Sequence, residues 1–363
     1  MGAIKAAFLS VVPSPYQRDL FAALARRPEI DLKVFYLEHA SPDSPWPKRP
    51  LAPYESVLPG DWFSLGSARC HVNWSLPRLG DFHVVVLNTI MSLTAQWALR
   101  AKLRSTPWMF WGERLRPRGA GWRQMFHDVL TEPLHRAKGI AGIGRLAVDD
   151  YRRRFPKPLH FNIPYFCALQ PFLEAPRRTP EAETVFLFCG QMIARKGLDL
   201  VLAAFARLVE KNRKVRLRLV GREAELPLEL AKLPAAARER ISYEGFQPPE
   251  ELPRYFTKAD VFVLPSRHDG WGVVVNQALG AGLPLICSDA VGAAHDLITD
   301  GVNGCTFKGG DVDALLAAME RLAADPELRD HWGAASREAA QEWLPEKGAE
   351  KWAKAFETVQ TIR

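Results

Sequence analysis

Ser266-Arg-His-Asp-Gly-Trp-Gly-Val-Val-Val-Asn-Gln-Ala-Leu-Gly-Ala-Gly-Leu-Pro284 is the stretch on which the reading of this chain turns. The apolar run Val261–Leu264 before it has the length and β-branched content of a buried strand. Gly270 and Gly272 then shape a turn, and Val273–Gly280 carries a helical period. Glycine at those points lets backbone amides approach a ligand closely, and the free amides of a helix start favour a phosphate. Asp269 lies in the turn and Gln277 two turns beyond it, so their side chains can reach two ends of one extended ligand. Taken alone, the same residues also describe an ordinary strand–turn–helix unit.

On either side the chain alternates short apolar runs with longer helical segments, the pattern of parallel α/β sheets. In the first half the expected strands are Ala3–Val11, Leu32–Tyr36, His83–Leu87, Trp108–Trp111 and Ile140–Ile143. Helices are expected over Tyr16–Arg27, Leu93–Lys102, Trp122–His135 and Leu146–Phe155, and Ser41–Pro59, rich in Pro and polar groups, reads as a long loop. Prolines and arginines across Gln170–Pro180 break the periodicity and mark a linker. A second alternation follows, with strands Val185–Cys189, Val215–Val220, Ile241–Glu244, Val261–Leu264 and Leu285–Cys287. Its helices are expected near Leu198–Glu210, Val273–Gly280 and Val312–Ala324.

At 363 residues the chain is too long for one ordinary core, and 47% hydrophobic with 25% charged residues suits a soluble globular enzyme. No stretch supplies the ~20 apolar residues of a bilayer span. Ala3–Val12, with Lys5 in its middle and Pro13 after it, reads as a first strand and not a signal peptide. The five cysteines are odd in number and widely spaced, which supports neither a disulfide framework nor a zinc site and points to the cytoplasm. The net charge of +7 is concentrated between Arg100 and Lys157, where Trp108, Trp111 and Trp122 are interleaved with basic residues such as Arg114, Arg116, Arg118 and Arg123. A surface of that kind attracts anionic lipid or phosphate-bearing substrates. No nucleic-acid motif is present, so no nucleic-acid partner is expected.

The Ser266–Pro284 segment resembles the signature of the retaining, family-four glycosyltransferases (glycosyl transferases group 1). Their pattern runs Pro-Ser, Glu-Gly-Phe-Gly, a second Glu after seven intervening residues, then Ala-Met-Ala-x-Gly-x-Pro. Here it stands as Pro265-Ser266, Asp269-Gly270-Trp271-Gly272, Gln277 and Ala278–Pro284. Gly190-Gln191 with Arg195-Lys196-Gly197 looks like the family's diphosphate-binding turn, Tyr243-Glu-Gly245-Phe246 like the loop framing the nucleobase, and Ser288–Gly304 like the stretch that closes the domain. The match covers nearly all of Val185–Phe307 in order.

The resemblance implies a GT-B fold, an α/β architecture of two Rossmann-like doubly wound parallel-sheet domains facing a cleft. The expected division is an acceptor-binding domain over residues 1–172, a nucleotide-sugar domain over 173–344, and a C-terminal helix over 345–363 packing back on the first. It also implies a metal-independent, retaining sugar transfer from a nucleotide-diphosphate sugar to an acceptor hydroxyl, with no cofactor beyond that co-substrate. Donor-binding positions carried over are Gly190, Gln191, Arg195, Lys196, Gly221, Phe246, Gly270, Trp271, Gly272, Val273 and Gln277; Asp269 takes the position that holds the sugar hydroxyls. Three departures stand out: Asp269 and Gln277 replace glutamates, and Gln191 replaces an arginine. A neutral amide loses a charge-assisted bond, roughly 1.5–3 against 0.5–1.5 kcal/mol, or about tenfold in donor grip.

The N-terminal half resembles the family less. Val12-Pro-Ser-Pro-Tyr16-Gln-Arg18 replaces a Gly-rich turn and puts Tyr16 and Arg18 on the acceptor side; Glu113 occupies the place of the family's histidine near the reacting centre. Gly142-Ile-Gly144-Arg-Leu-Ala147 fits a dinucleotide fingerprint but comes late in its domain and lacks the ribose-binding acid, so a close strand–helix turn explains it. The expected partners are a nucleotide sugar and a saccharide or lipid-linked acceptor in cell-surface glycan synthesis, with peripheral contact at the anionic inner membrane face. The competing expectation is a GT-B protein that binds nucleotide sugar but has lost transfer.

Overall fold

The computed structural model describes residues 2–40, 46, 49–65, 68–115, 119, 121–176 and 183–361. Residues 41–45, 47 and 48 of the expected loop, 177–180 of the expected linker, and Arg116 and Arg118 lie outside them. The chain divides into two compact units, Met1–Cys167 with Pro345–Arg363, and Ala168–Leu344. The break falls before the 172/173 boundary expected from the prolines, because Gln170–Glu174 is itself a helix of the second unit.

In unit 1 the elements run β1 Ile4–Ser10, α1 Pro15–Ala25, β2 Ile30–Tyr36, β3 Glu55–Val57, β4 Gly60–Leu65, β5 Ala68–Asn73, β6 Val84–Leu87, α2 Leu93–Trp97, β7 Trp108–Gly112, α3 Trp122–Thr131, β8 Gly139–Gly142, α4 Arg145–Arg154 and β9 Leu159–Asn162. Seven strands form one parallel sheet in the order β3-β2-β1-β6-β7-β8-β9, while β4 and β5 make a separate antiparallel hairpin. Central β6 and β7 are buried at every position, whereas β2 alternates. That contrast is expected of strands covered on both faces against one nearer an edge.

Several elements depart from the sequence reading. The end of the expected 41–59 loop is β3, paired in parallel with β2. After Trp97 the helix relaxes into a π-helical turn over Ala98–Lys102. Pro133 has no N–H to continue α3, and the chain tightens into a 3-10 segment over Glu132–Arg136. Gly142 answers a packing need, since a Cβ there would collide with the backbone of Val148. The dinucleotide-like pattern is therefore a tight strand–helix turn.

Unit 2 runs α5 Gln170–Glu174, β10 Thr184–Cys189, α6 Leu198–Lys211, β11 Val215–Val220, α7 Leu226–Ala231, α8 Ala235–Arg238, β12 Ile241–Tyr243, α9 Leu252–Phe256, β13 Val261–Leu264, α10 Val273–Gly280, β14 Leu285–Ser288, α11 Ala294–Leu297, β15 Gly304–Phe307, α12 Val312–Ala324 and α13 Pro326–Ala340. Its sheet is parallel throughout, in the order β12-β11-β10-β13-β14-β15. The order reverses at β10, between β11 and β13, which makes a Rossmann-like switch point. Helix starts follow local chemistry: Asp311 caps α12 through the Ala314 amide at 2.9 Å, and Asp325 caps α13 through Leu328 at 2.8 Å ahead of Pro326.

The last helix, α14 (Pro345–Thr361), belongs to unit 1. Trp352 and Phe356 on it are fully buried against Phe8 of β1, and Trp352 also meets Trp111 at 5.6 Å. Gly348 lies so close to Phe166 and Leu20 that a Cβ would collide with both. The five cysteines are free; Cys167, Cys189 and Cys287 are buried, while Cys70 and Cys305 are half-buried. No described helix is long and apolar enough to cross a membrane.

Candidate donor site of unit 2

Because every strand of the unit 2 sheet runs the same way, the loops after β10, β11, β12, β13 and β14 gather at one end. Three glycines hold the first loops side by side. The Gly190 amide donates to Val220 O at 2.9 Å, the Gly221 amide to Gly245 O at 2.9 Å, and Tyr243 Oη to Gly221 O at 2.9 Å. Gly221, at φ +139°, has Gly190 O where any Cβ would go. Phe246 beyond them is 44% exposed, which leaves its ring open to a stacking ligand.

The turn after β10 is fastened to the turn after β13. The Arg267 amide donates to Arg195 O at 2.8 Å, and its guanidinium grips both oxygens of Asp199 at 2.6 and 2.7 Å and Ala194 O at 2.7 Å. The Arg267 hydrogen bond is the main reason the Asp199 carboxyl is held below the usual carboxylate range. Arg195 Nη1 donates to His268 O at 3.1 Å. Gly197, left-handed at φ +76°, passes so near Pro265 O that a side chain has no room. This clamp brings Lys196 Nζ to 2.5 Å from Asp269 Oδ2, with both side chains largely buried. Cys189 beside them is pushed up to about 12 by burial, only partly offset by Lys196, and stays a thiol.

Asp269 is also fixed through its backbone, which bonds Ala290 O and the Gly292 amide at 3.1 Å each. Its carboxylate lies over Gly272, where a Cβ would sit 3.4 Å from Oδ2. Gly272 is left-handed (φ +94°) and opens α10 without any side-chain cap. An uncapped helix start, an ammonium and a carboxylate thus meet at one point, a combination suited to a phosphate next to a hydroxyl-bearing group. Gln277 lies one turn inside α10, which begins at Val273 as expected, and so two turns beyond Asp269 but not two turns into the helix. Among the described residues its buried Oε1 has no hydrogen-bond partner. An acceptor buried without a donor costs free energy that a ligand hydroxyl would restore.

Two expected positions are corrected. The Trp271 indole does not face the turn: it is 1% exposed, donates to Asn276 Oδ1 at 2.9 Å and packs 6.0 Å from Trp343. Burial of so large a ring stabilises the unit, and only its backbone belongs to the loop. In unit 1, Arg18 does not present an acceptor-side charge. It is committed to Glu55 through Nε at 2.9 Å and Nη2 at 2.7 Å, and to Pro50 O at 2.7 Å. Burial alone would raise Glu55, but Arg18, the Ala52 amide and the Tyr36 hydroxyl outweigh it and hold the carboxyl below its usual range.

Tyr16 and Glu113, also in unit 1, are linked by a residue the motif reading missed. The Tyr165 ring lies 4.7 Å from Tyr16, tilted by 59°, and its Oη donates to Glu113 Oε1 at 3.3 Å, while Tyr151 Oη donates to Glu113 O at 3.1 Å. Burial first, and then Glu113, push the Tyr165 phenol well up, so it remains a donor. Glu113 itself is exposed just past the end of β7. Only the aromatic character of Tyr165, two residues before Cys167, hinted at this role.

The family model described as "Glycosyl transferases group 1" matches residues 170–339, which fall wholly inside unit 2. The second unit belongs to this family. The group 1 unit carries the similarity to curated proteins as well. An alpha-D-kanosaminyltransferase of Streptomyces kanamyceticus is 31% identical over 148 residues, 40% of this chain and 38% of that protein. A D-inositol 3-phosphate glycosyltransferase of Streptomyces griseus is 33% identical over 174 residues, covering 45% and 36%. A GDP-mannose-dependent alpha-(1-6)-phosphatidylinositol monomannoside mannosyltransferase of Mycolicibacterium smegmatis is 30% identical over 161 residues, covering 42% of each. The chain thus spans roughly two fifths of the length of these relatives. Among solved structures, sucrose-phosphate synthase of Thermosynechococcus elongatus aligns at TM-score 0.74 and 19% identity over 99% of this chain and all of that one. Anabaena Alr3699/HepE in complex with UDP aligns at 0.74 and 15% over 98% and 100%. The fold is therefore GT-B, with the group 1 unit as its second Rossmann-like half.

Proposed function

We propose that this protein is a retaining glycosyltransferase that moves a hexose-type sugar from a nucleoside-diphosphate sugar to an acceptor hydroxyl. The observation that carries the reading is the meeting of Lys196 and Asp269 over the uncapped, glycine-opened start of α10. With donor bound, the diphosphate takes Lys196 and the first amides of α10, and Asp269 turns to the sugar hydroxyls. Gln277 Oε1 accepts from a ribose hydroxyl, and Phe246 stacks on the base. The bond from the sugar C1 to the diphosphate oxygen breaks, the acceptor oxygen bonds to C1 on the same face, and the leaving diphosphate receives the acceptor proton. Charge that develops on the diphosphate meets donors already in place, so no metal is needed to neutralise it. Glu113, whose Oε1 accepts from Tyr165, is the unit 1 residue proposed to handle the acceptor.

The acceptor class proposed is a saccharide or lipid-linked saccharide of the cell surface. Support comes from relatives whose names specify inositol 3-phosphate and a phosphatidylinositol monomannoside, and from a neighbour solved with UDP-glucose. The test is release of nucleoside diphosphate from a panel of UDP-, GDP- and ADP-sugars with candidate acceptors, comparing the native chain with Lys196→Ala. Release by the native chain alone supports transfer. Tight diphosphate binding without release across the panel would favour a binding role instead.

A further inference from the structure

Helix α3 reverses the usual arrangement of an amphipathic helix. Trp122, Met125, Phe126 and Val129 follow the i, i+3, i+4, i+7 spacing that normally marks the core-facing stripe. On α14 the residues at such spacing, Ala349, Trp352, Ala353 and Phe356, are all buried. On α3 the stripe is turned to solvent, with exposures of 70%, 68%, 49% and 55%. Scattered exposed apolar residues are ordinary, but four large ones on one helical face form a docking patch.

A second helix joins it. Arg100 Nη2 donates to Val129 O at 2.5 Å and Gln96 Nε2 to Leu130 O at 2.9 Å, so α2 and its π-helical extension are pinned to the end of α3. This pinned segment exposes Leu93 and Trp97, and Lys102 sets its ammonium 5.1 Å over the Trp97 ring. Charge identifies the occupant: Arg100, Lys102 and Arg104 are exposed on or just after the pinned segment, and the sequence from Leu93 to Lys138 carries nine Lys and Arg against three Asp and Glu. Exposed indoles, a short apolar stripe and surrounding cations make up the chemistry of a helix that lies in the lipid interface. A second copy of this chain would bring the same positive charge to the contact and be repelled.

We infer that α3, together with α2, docks the protein on an anionic lipid surface, with the Trp122–Val129 stripe entering the headgroup region and the neighbouring cations holding lipid phosphates. This surface belongs to unit 1 and the donor site to unit 2, and its test needs no sugar transfer. Full-length protein is sedimented with vesicles of phosphatidylcholine alone or with phosphatidylglycerol added, at low and high salt. The expected result is binding to the phosphatidylglycerol vesicles that weakens with salt, falls on the order of tenfold in Lys102→Glu, and falls at least as far in the Trp122→Ser/Phe126→Ser double variant. Melting temperature and nucleoside-diphosphate binding should be unchanged in both variants, which separates this result from misfolding and from failure of the donor assignment. No binding to anionic vesicles, or equal binding by the double variant, would overturn the inference. So would concentration-dependent dimerisation that the double variant abolishes in protein that ignores vesicles.

Discussion

At the scale of single residues the candidate site depends on where a few polar atoms find themselves. Lys196 and Asp269 lie 73 positions apart in sequence and are brought together by two turns clamped through Arg267 and Asp199. Replacing Lys196 by Ala removes the point charge offered to a diphosphate, and donor affinity should fall about 10- to 100-fold in calorimetry, the worth of one charged hydrogen bond. Gln277 is the informative oddity. Its buried Oε1 has no partner among the described residues, and a carboxylate in its place would make a charge-assisted bond to a ribose hydroxyl. Gln277→Glu should therefore tighten nucleoside-diphosphate binding by about tenfold, measured by titration; a loss would show that the amide's own donor end is in use. The motif singled out Asp269, Lys196 and Gln277 by residue type and spacing, and the structure brings Lys196 and Asp269 together. It misplaced Trp271 and Arg18 because direction of a side chain depends on partners far along the chain. Trp271 turns inward to Asn276 and Trp343, and Arg18 is captured by Glu55, 37 residues away.

At the scale of elements, short contacts between turns and strands set the site and the units. Gly197→Ala would force a Cβ into Pro265 O at a left-handed backbone position, separating the turns after β10 and β13. It should cost about 2–3 kcal/mol and weaken donor binding together with stability, read by denaturant unfolding and titration on the same protein. In unit 1 the Arg18–Glu55–Tyr36 network ties α1 and β2 to the edge strand β3. Glu55 is held below its usual range when folded, so its stabilising contribution is complete above the ordinary glutamate value of about 4.3 and is lost as pH falls through the lower folded value. Glu55→Gln should flatten that acid limb of the unfolding profile and, by leaving Arg18 with a neutral partner, cost about 2–4 kcal/mol at pH 7. Val261–Leu264 was readable to the residue because a buried parallel strand is a continuous apolar run, and Val215–Val220 because Arg216 and Arg218 alternate with apolar residues that face the core. The short β3 and the hairpin β4–β5 were not, since an edge strand of three residues is too short to read and the hairpin exposes Trp62 and Phe63 while burying the polar His71 and Asn73, against the usual pattern.

At the scale of the whole molecule, the chain builds two Rossmann-like units and spends its last helix on the first of them. Trp352 closes the core around Phe8 and Trp111, and Trp352→Ala should cost about 3–5 kcal/mol in unit 1 while leaving diphosphate binding by the group 1 unit intact. That separation of effects, scored by thermal unfolding with and without nucleotide, checks the division of labour between the units. The division and its GT-B character were legible because the alternation of strands and helices restarts after residue 170 and the second run carries the signature. The substrate was not, because relatives matched over part of this chain are named for different sugars and acceptors. In the function proposed, the loops joining β10 to α6 and β13 to α10 hold a nucleoside diphosphate. Calorimetric titration of the full chain with UDP, GDP and ADP, and with the matching monophosphates, tests it most directly. At least one diphosphate should bind saturably, more tightly than its monophosphate by about tenfold or more, with that margin lost in Lys196→Ala. Failure of every diphosphate to bind, or a margin that survives without Lys196, would contradict it.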